Sequence, residues 1–244
     1  MAAAEGPSLV LAGFGASSPL QLTIEAQQMA VHTGHVLSLG LPERLKSLLA
    51  RQGVGVSPLD QLLSGRSPAE GYAAVAQAVM ARARHDPPAM FVSQGSPLFV
   101  NAITRFMAAE ANRLELPVRI LPGVSTVDVV VAEIGLDVGR AGLQTLSARG
   151  LVARPQALNP HMPILLLELA GIALTDESAE AYGPLVQLMG DAYPANQPVT
   201  LINMPGDATI SRATVTLANF AELLPKIDTS SSLFIDIRRK AANG

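Results

Sequence analysis

The stretch LVLAGFGASSPLQLT, residues 9–23, decides how the first half of the chain is read. An apolar run, Leu9 to Ala12, breaks into Gly13-Phe14-Gly15. Ser18-Pro19-Leu20-Gln21 then has the marks of a helix start: Ser as N-cap, Pro at the first helical position, Gln three residues after the cap. Strand, glycine turn and capped helix in that order predict a corner at the C-terminal edge of a parallel sheet, where backbone N–H groups meet ligands. A dinucleotide loop is one reading of such a corner. It requires a third glycine and an acidic residue about 20 positions on. Gly15 is followed by Ala16, Ser17 and Ser18, and residues 26–42 contain no Asp or Glu. NAD and the common Rossmann methyltransferase layout are therefore disfavoured, and a P-loop is excluded because no G-K-[ST] follows.

Outward from this corner, short apolar runs alternate with amphipathic stretches, which is the pattern of parallel α/β architecture. Strands are expected at 8–12, 35–39, 89–93 and 118–121, and helices at 19–33, 72–85 and 97–113. Within 72–85, Tyr72, Val75, Ala76, Val79 and Met80 share one helical face, which assigns Tyr72 to the core. The second half changes texture: strands are expected at 163–169, 199–203 and 233–237, a further strand or hairpin within 210–220, and helices at 124–134 and 180–193. A domain boundary fits the Pro-Gly corner at 122–123, giving domains 1–123 and 124–244. The Gly-, Ser- and Pro-rich segment 51–71 reads as a long loop of the lid or binding type.

Bulk composition narrows the classes. The 244 residues are 49% hydrophobic and 15% charged, with a formal net charge of -3. That is a globular composition without the basic footprint of a nucleic-acid binder. Zero cysteines exclude disulfides, iron–sulfur clusters, thiolate zinc and a cysteine nucleophile. Four scattered histidines make no metal-ligand spacing, so no metal is expected. The opening MAAAEGP lacks a signal-peptide pattern, and no apolar run approaches the roughly 20 residues of a membrane span. A soluble cytoplasmic protein is the default expectation.

Two later corners repeat the first. SQGSPLFV (93–100) follows the third expected strand and LPGVSTVD (121–128) the fourth. In a parallel sheet, three glycine-bearing strand ends can line one cleft. G-x-G…L-T, G-x-P-x-x-[FV] and P-G-[VI]-S in this order resemble the tetrapyrrole methylase superfamily. Within it, GSPLFV, RILPGVSTVDVVVAEIGLDVGRAGLQTL, YPANQPVTLINMP and SSLFIDI resemble the borosin peptide backbone N-methyltransferases over nearly the whole chain.

The resemblance implies two α/β domains with S-adenosylmethionine (SAM) folded in the cleft between them, and a homodimer. It places Gly13 and Gly15, then Gln94, Gly95, Ser96, Leu98 and Phe99, against the cofactor. Ser125 and Thr126 match the position that holds its methionine part, and Glu168, Ile202, Asn203 and Ser232 the adenosine side. Arg66 and Tyr72 match a catalytic Arg and Tyr that assist deprotonation of an amide nitrogen. Gln94 stands where the borosin enzymes usually carry Tyr. The implied activity is N-methylation of a separate peptide, the split borosin type. A methyltransferase acting on a tetrapyrrole or other small molecule remains open, as does a SAM-binding module without catalysis.

Overall fold

A computed structural model describes residues 6–173, 179–206 and 209–237. Contacts divide the chain into two units, 1–129 and 130–244. The first contains β1 (Leu9–Gly13), α1 (Ile24–Thr33), β2 (His35–Ser38), α2 (Glu43–Arg51), β3 (Gly55–Pro58), α3 (Pro68–His85), β4 (Ala89–Ser93), α4 (Ala102–Arg113) and β5 (Val118–Leu121). The strands form a parallel sheet in the order β3-β2-β4-β1-β5. Every residue of β1 and β4 is buried, as continuous apolar strands require when helices cover both faces. Leu9, Leu11 and Phe91 pack with residues of α3 and α4 on one face, such as Val79 and Met107. Val10, Ala12 and Met90 pack with residues of α1 and α2 on the other, such as Ala30 and Leu45. Burial of each such large side chain is worth about 1.5–3 kcal/mol.

The first corner departs from the expected helix start. Ser18 accepts a hydrogen bond from the Leu20 N–H but caps only a 3-10 turn, Pro19–Gln21. The Gln21 side chain turns instead to Ser17, accepting from its N–H and donating to its hydroxyl, each at 2.9 Å. α1 therefore begins later, with Thr23 as N-cap, and ends at Gly34 with φ 68°.

The segment 51–71 is more regular than a lid. It holds the end of α2, strand β3 and a 3-10 turn, Asp60–Leu62, and α3 already starts at Pro68. Ser67 and Glu70 cap α3 reciprocally. Tyr72 is a further correction: Val75, Ala76, Val79 and Met80 are buried, but Tyr72, the fifth residue of α3, is 40% exposed.

The second unit holds α6 (Val138–Ala141), β6 (Gln144–Ser147), α7 (Ala148–Ala153), β7 (Ile164–Leu167), α8 (Gly183–Ala192), β8 (Pro198–Asn203), β9 (Ser211–Thr216) and β10 (Ser231–Ile235). α5 (Thr126–Ile134) runs across the division. The second sheet is mixed, in the order β6-β7-β10-β8-β9. β6 and β7 are parallel, while β10 is antiparallel to both β7 and β8. Ile164, Leu166, Leu201, Leu233 and Ile235 form its core with Leu151, Leu185, Met189 and Phe220. Both units are α/β. No helix among the described residues is long and apolar enough to cross a membrane.

Candidate functional site

β4, β1 and β5 are adjacent and parallel, so the three turns that follow them lie side by side at one edge. Gly15 and Gly95 form a two-bond bridge: the Gly95 N–H donates to the Gly15 carbonyl at 3.0 Å and the Gly15 N–H to the Gly95 carbonyl at 3.4 Å. A Cβ on Gly13 would run into the Gly95 carbonyl oxygen. One on Gly123 would come within 2.8 Å of that oxygen and 3.1 Å of the Gly13 carbonyl. The three backbones thus touch where side chains would hold them apart. Gly13 and Gly123 permit the approach, whereas Gly15 (φ 98°) and Gly95 (φ 75°) supply turns that L residues resist.

Side chains fasten the corner. Gln94 Nε2 donates to the Ala16 carbonyl at 3.0 Å, tying the second corner to the first. Asn101 Nδ2 donates to Ser93 Oγ at 2.9 Å, and its Oδ1 caps α4 by accepting the Thr104 N–H. The buried Thr104 hydroxyl donates to the Pro97 carbonyl. Between these ties Ser96 and Phe99 are half-buried and Leu98 is exposed, and Val100 holds φ at 50°. That angle is rare for a β-branched residue. Beyond Gly95 the space is open, since a Cβ there would meet nothing within 4 Å. A ligand held through main chain, as the resemblance implies for SAM, fits that open face.

At the third corner Ser125 and Asp128 form a reciprocal cap on α5. Asp128 Oδ2 accepts from the Ser125 N–H at 2.7 Å and from its hydroxyl at 2.6 Å, and Ser125 Oγ accepts from the Asp128 N–H. The amides of Thr126 and Val127, in the first turn, have no intrahelical acceptor.

Arg66 and Tyr72 stand at the same sheet edge but on the side of β3, with β2 between that strand and β4. Arg66 is exposed and donates from Nη1 to the Leu62 carbonyl at 2.8 Å. Hydrogen bonds from the Ser67 hydroxyl and N–H hold the neighbouring Glu70 carboxyl below its usual range, and Arg66 adds to this. Tyr182 and Tyr193 are buried with hydroxyls directed at the Leu169 and Asn159 carbonyls, and burial raises both above the usual phenol value. Tyr72 is therefore the only exposed tyrosine of the three in the chain.

In the second unit β7 and β8 run in the same direction and β10 runs against them. The ends of β7 and β8 and the start of β10 share one edge, which brings Glu168, Asn203 and Ser232 together there. Glu168 follows β7 in the left-handed region, φ 58°, and is exposed. Asn203 donates to the Lys226 carbonyl and accepts from Ser231 Oγ, each at 2.8 Å. Ile202 and Ser232 are paired one residue inside the edge and are buried.

Asn101 and Thr104 were not among the residues expected at this edge. Their signal is nonetheless present in the chain: Asn followed three residues later by Thr, ahead of an amphipathic run, is a helix start. The left-handed Glu168 has no such signal.

The chain is similar to several known proteins. The curated methyltransferase/ribosomally synthesized cyclic peptide dendrothelin A precursor of Dendrothele bispora is 25% identical over 214 residues, covering 79% of this chain and 51% of that protein. The corresponding omphalotin A precursor of Omphalotus olearius is 24% identical over 248 residues, 97% of this chain and 59% of that protein. The chain thus spans about half the length of these curated relatives. Uroporphyrin-III C-methyltransferase from Thermus thermophilus, complexed with S-adenyl homocysteine, superposes with a TM-score of 0.68 at 18% identity, covering 95% of this chain and 98% of that one. Cobalt precorrin-4 methyltransferase gives 0.65 at 13% identity, covering 96% and 98%. These two likenesses establish a shared fold. The family model for tetrapyrrole (corrin/porphyrin) methylases matches residues 8–223, from β1 through most of the second sheet, and the chain belongs to that family.

Proposed function

We propose that this chain is a SAM-dependent methyltransferase that N-methylates backbone amides of a separate peptide, built of domains 1–123 and 124–244 and working as a cytoplasmic homodimer. What supports the reading most is the convergence of the three glycine corners in a chain whose relatives are named as methyltransferases joined to cyclic peptide precursors.

SAM, when bound, supplies an electrophilic methyl group on a sulfonium. Gly95 and Ser96 would hold it by main chain, with Gln94, Leu98 and Phe99 shaping the same turn and Gly13 and Gly15 forming its base. Ser125 and Thr126 would take the methionine part, and Glu168, Ile202, Asn203 and Ser232 would take the adenosine side. An amide nitrogen is a weak nucleophile until its proton is drawn off and charge on its carbonyl oxygen is met. The Arg66 guanidinium has donors beyond the one given to Leu62 and would meet that charge. The exposed Tyr72 hydroxyl would take part in moving the proton.

The test is incubation of the full chain with SAM and candidate peptides, read by mass spectrometry. The expected result is successive gains of about 14 Da on the peptide, one methyl replacing one hydrogen per transfer. Tyr72→Phe is expected to lower turnover by roughly 10²-fold while leaving SAM affinity near wild type. Unchanged turnover removes Tyr72 from the mechanism.

A further inference from the structure

Resting on the SAM reading above, we propose that Arg212 is a positioning residue for the methionine part of the cofactor. It fastens the far end of α5, the helix whose start would hold that part. α5 has nine residues, and its parts are secured differently. At the start, Ser125 and Asp128 cap each other. In the middle, Val129 and Val130 are buried. The last turn, 131–134, is only half-buried or exposed, so packing does little to hold it.

A helix leaves the carbonyls of its last turn without intrahelical partners. Here Gly135, at φ 64°, turns the chain so that the Leu136 N–H reaches the Val131 carbonyl at 3.0 Å and the Gly135 N–H the Ala132 carbonyl at 3.4 Å. Arg212 takes the next carbonyl. Its Nη1 donates to the Glu133 carbonyl at 3.2 Å, and its Nη2 lies 3.1 Å from Glu133 Oε1. The ion pair is partly exposed and is worth little by itself. The two-pronged grip does more, because the planar guanidinium fixes main chain and side chain of one residue together and sets a cation on the negative end of the helix dipole. Beside it lies a cavity of 260 Å³ lined by Ile134, Thr200, Thr214 and Phe234, so the last residue of α5 has room to move once the arginine lets go.

The strand that carries Arg212 gives the grip its purpose. In the β8–β9 pairing Arg212 stands opposite Ile202, and Ser211 opposite Asn203. Ile202 and Asn203 would take the adenosine side. One side chain therefore joins the strand pair that carries the adenosine contacts to the helix that begins at the methionine contacts. The amides of Thr126 and Val127 serve a carboxylate best when the helix is already held still, since preorganised donors need no ordering on binding.

The experiment measures binding to the full chain by calorimetry with two ligands. S-adenosylhomocysteine has the whole amino-acid part, whereas 5′-methylthioadenosine has the adenosine and the sulfur without it. Wild type is expected to bind the first more tightly. Arg212→Ala is expected to weaken S-adenosylhomocysteine by about tenfold and to leave 5′-methylthioadenosine within about twofold of wild type, which also shows that the fold is intact. Loss of both ligands in equal proportion is what a loosened second sheet would give, and it overturns the proposal. Unchanged binding of both overturns it as well, and in either case the SAM reading stands. Wild type that binds the two ligands equally removes the methionine part from α5 and overturns the proposal together with that assignment. Wild type that binds neither overturns the SAM reading itself.

Discussion

Gly95 and Gly123 meet at the same corner but resist side chains for different reasons. At Gly123 a methyl group would press on two backbone carbonyls that have nowhere to retreat. Gly123→Ala is expected to cost about 1–3 kcal/mol, seen as a lower melting temperature. At Gly95 there is room, but φ is 75°, so Gly95→Ala costs about 1–2 kcal/mol of backbone strain. Its methyl also projects onto the open face, so SAM affinity by calorimetry is expected to fall further than stability alone accounts for. At this scale the site is legible where glycines cluster at strand ends, because close backbone approach is what a missing Cβ permits. Helical periodicity places Tyr72 in the core because it counts positions on a face and not what packs against them near a helix start. The strain at Glu168 is not legible at all, because only the fold imposes its left-handed backbone.

Among the elements, α4 owes its start to one residue. Asn101→Ala removes the cap and the tie to Ser93, and chemical denaturation is expected to show a loss of about 1 kcal/mol. The edge strand β3 depends partly on a histidine. His35 Nε2 lies 3.0 Å from Ser57 Oγ, linking β2 to β3, and burial followed by Arg82 lowers its pKa. The unfolded chain therefore binds this proton more readily than the folded one. The His35 contribution is complete above the ordinary value of about 6.5 and is lost as pH falls below that toward the lowered folded value. Thermal melts across pH 5–8 are expected to show this decline in wild type and a flatter profile in His35→Gln. Buried strands such as β1 and β4 are legible because their apolar runs are unbroken. α2, β3 and β6 are not: α2 buries only Leu45 and Leu49 among charged neighbours, and GVSP and QTLS are short and half-polar. Such elements exist because a neighbouring strand or helix offers them partners, which no local pattern records.

Across the whole molecule each unit has its own core and its own sheet. The α/β class follows from the alternation of runs, but the mixed second sheet does not, since strand order depends on contacts between distant segments. A ligand that binds only the folded state stabilises it by mass action, and SAM at 100 times its Kd is expected to raise stability by about 2.7 kcal/mol, read as an upward shift in melting temperature.

The order of strands also has a consequence for biosynthesis. β10 sits between β7 and β8, yet among the described residues it is the last strand to emerge from the ribosome. The first sheet has all five strands once residue 121 is out, and its folding need not wait for the rest. The second stays split down its middle, with the facing edges of β7 and β8 unpaired, until Ser231–Ile235 arrives. During translation those open edges are the points most exposed to pairing with the wrong chain.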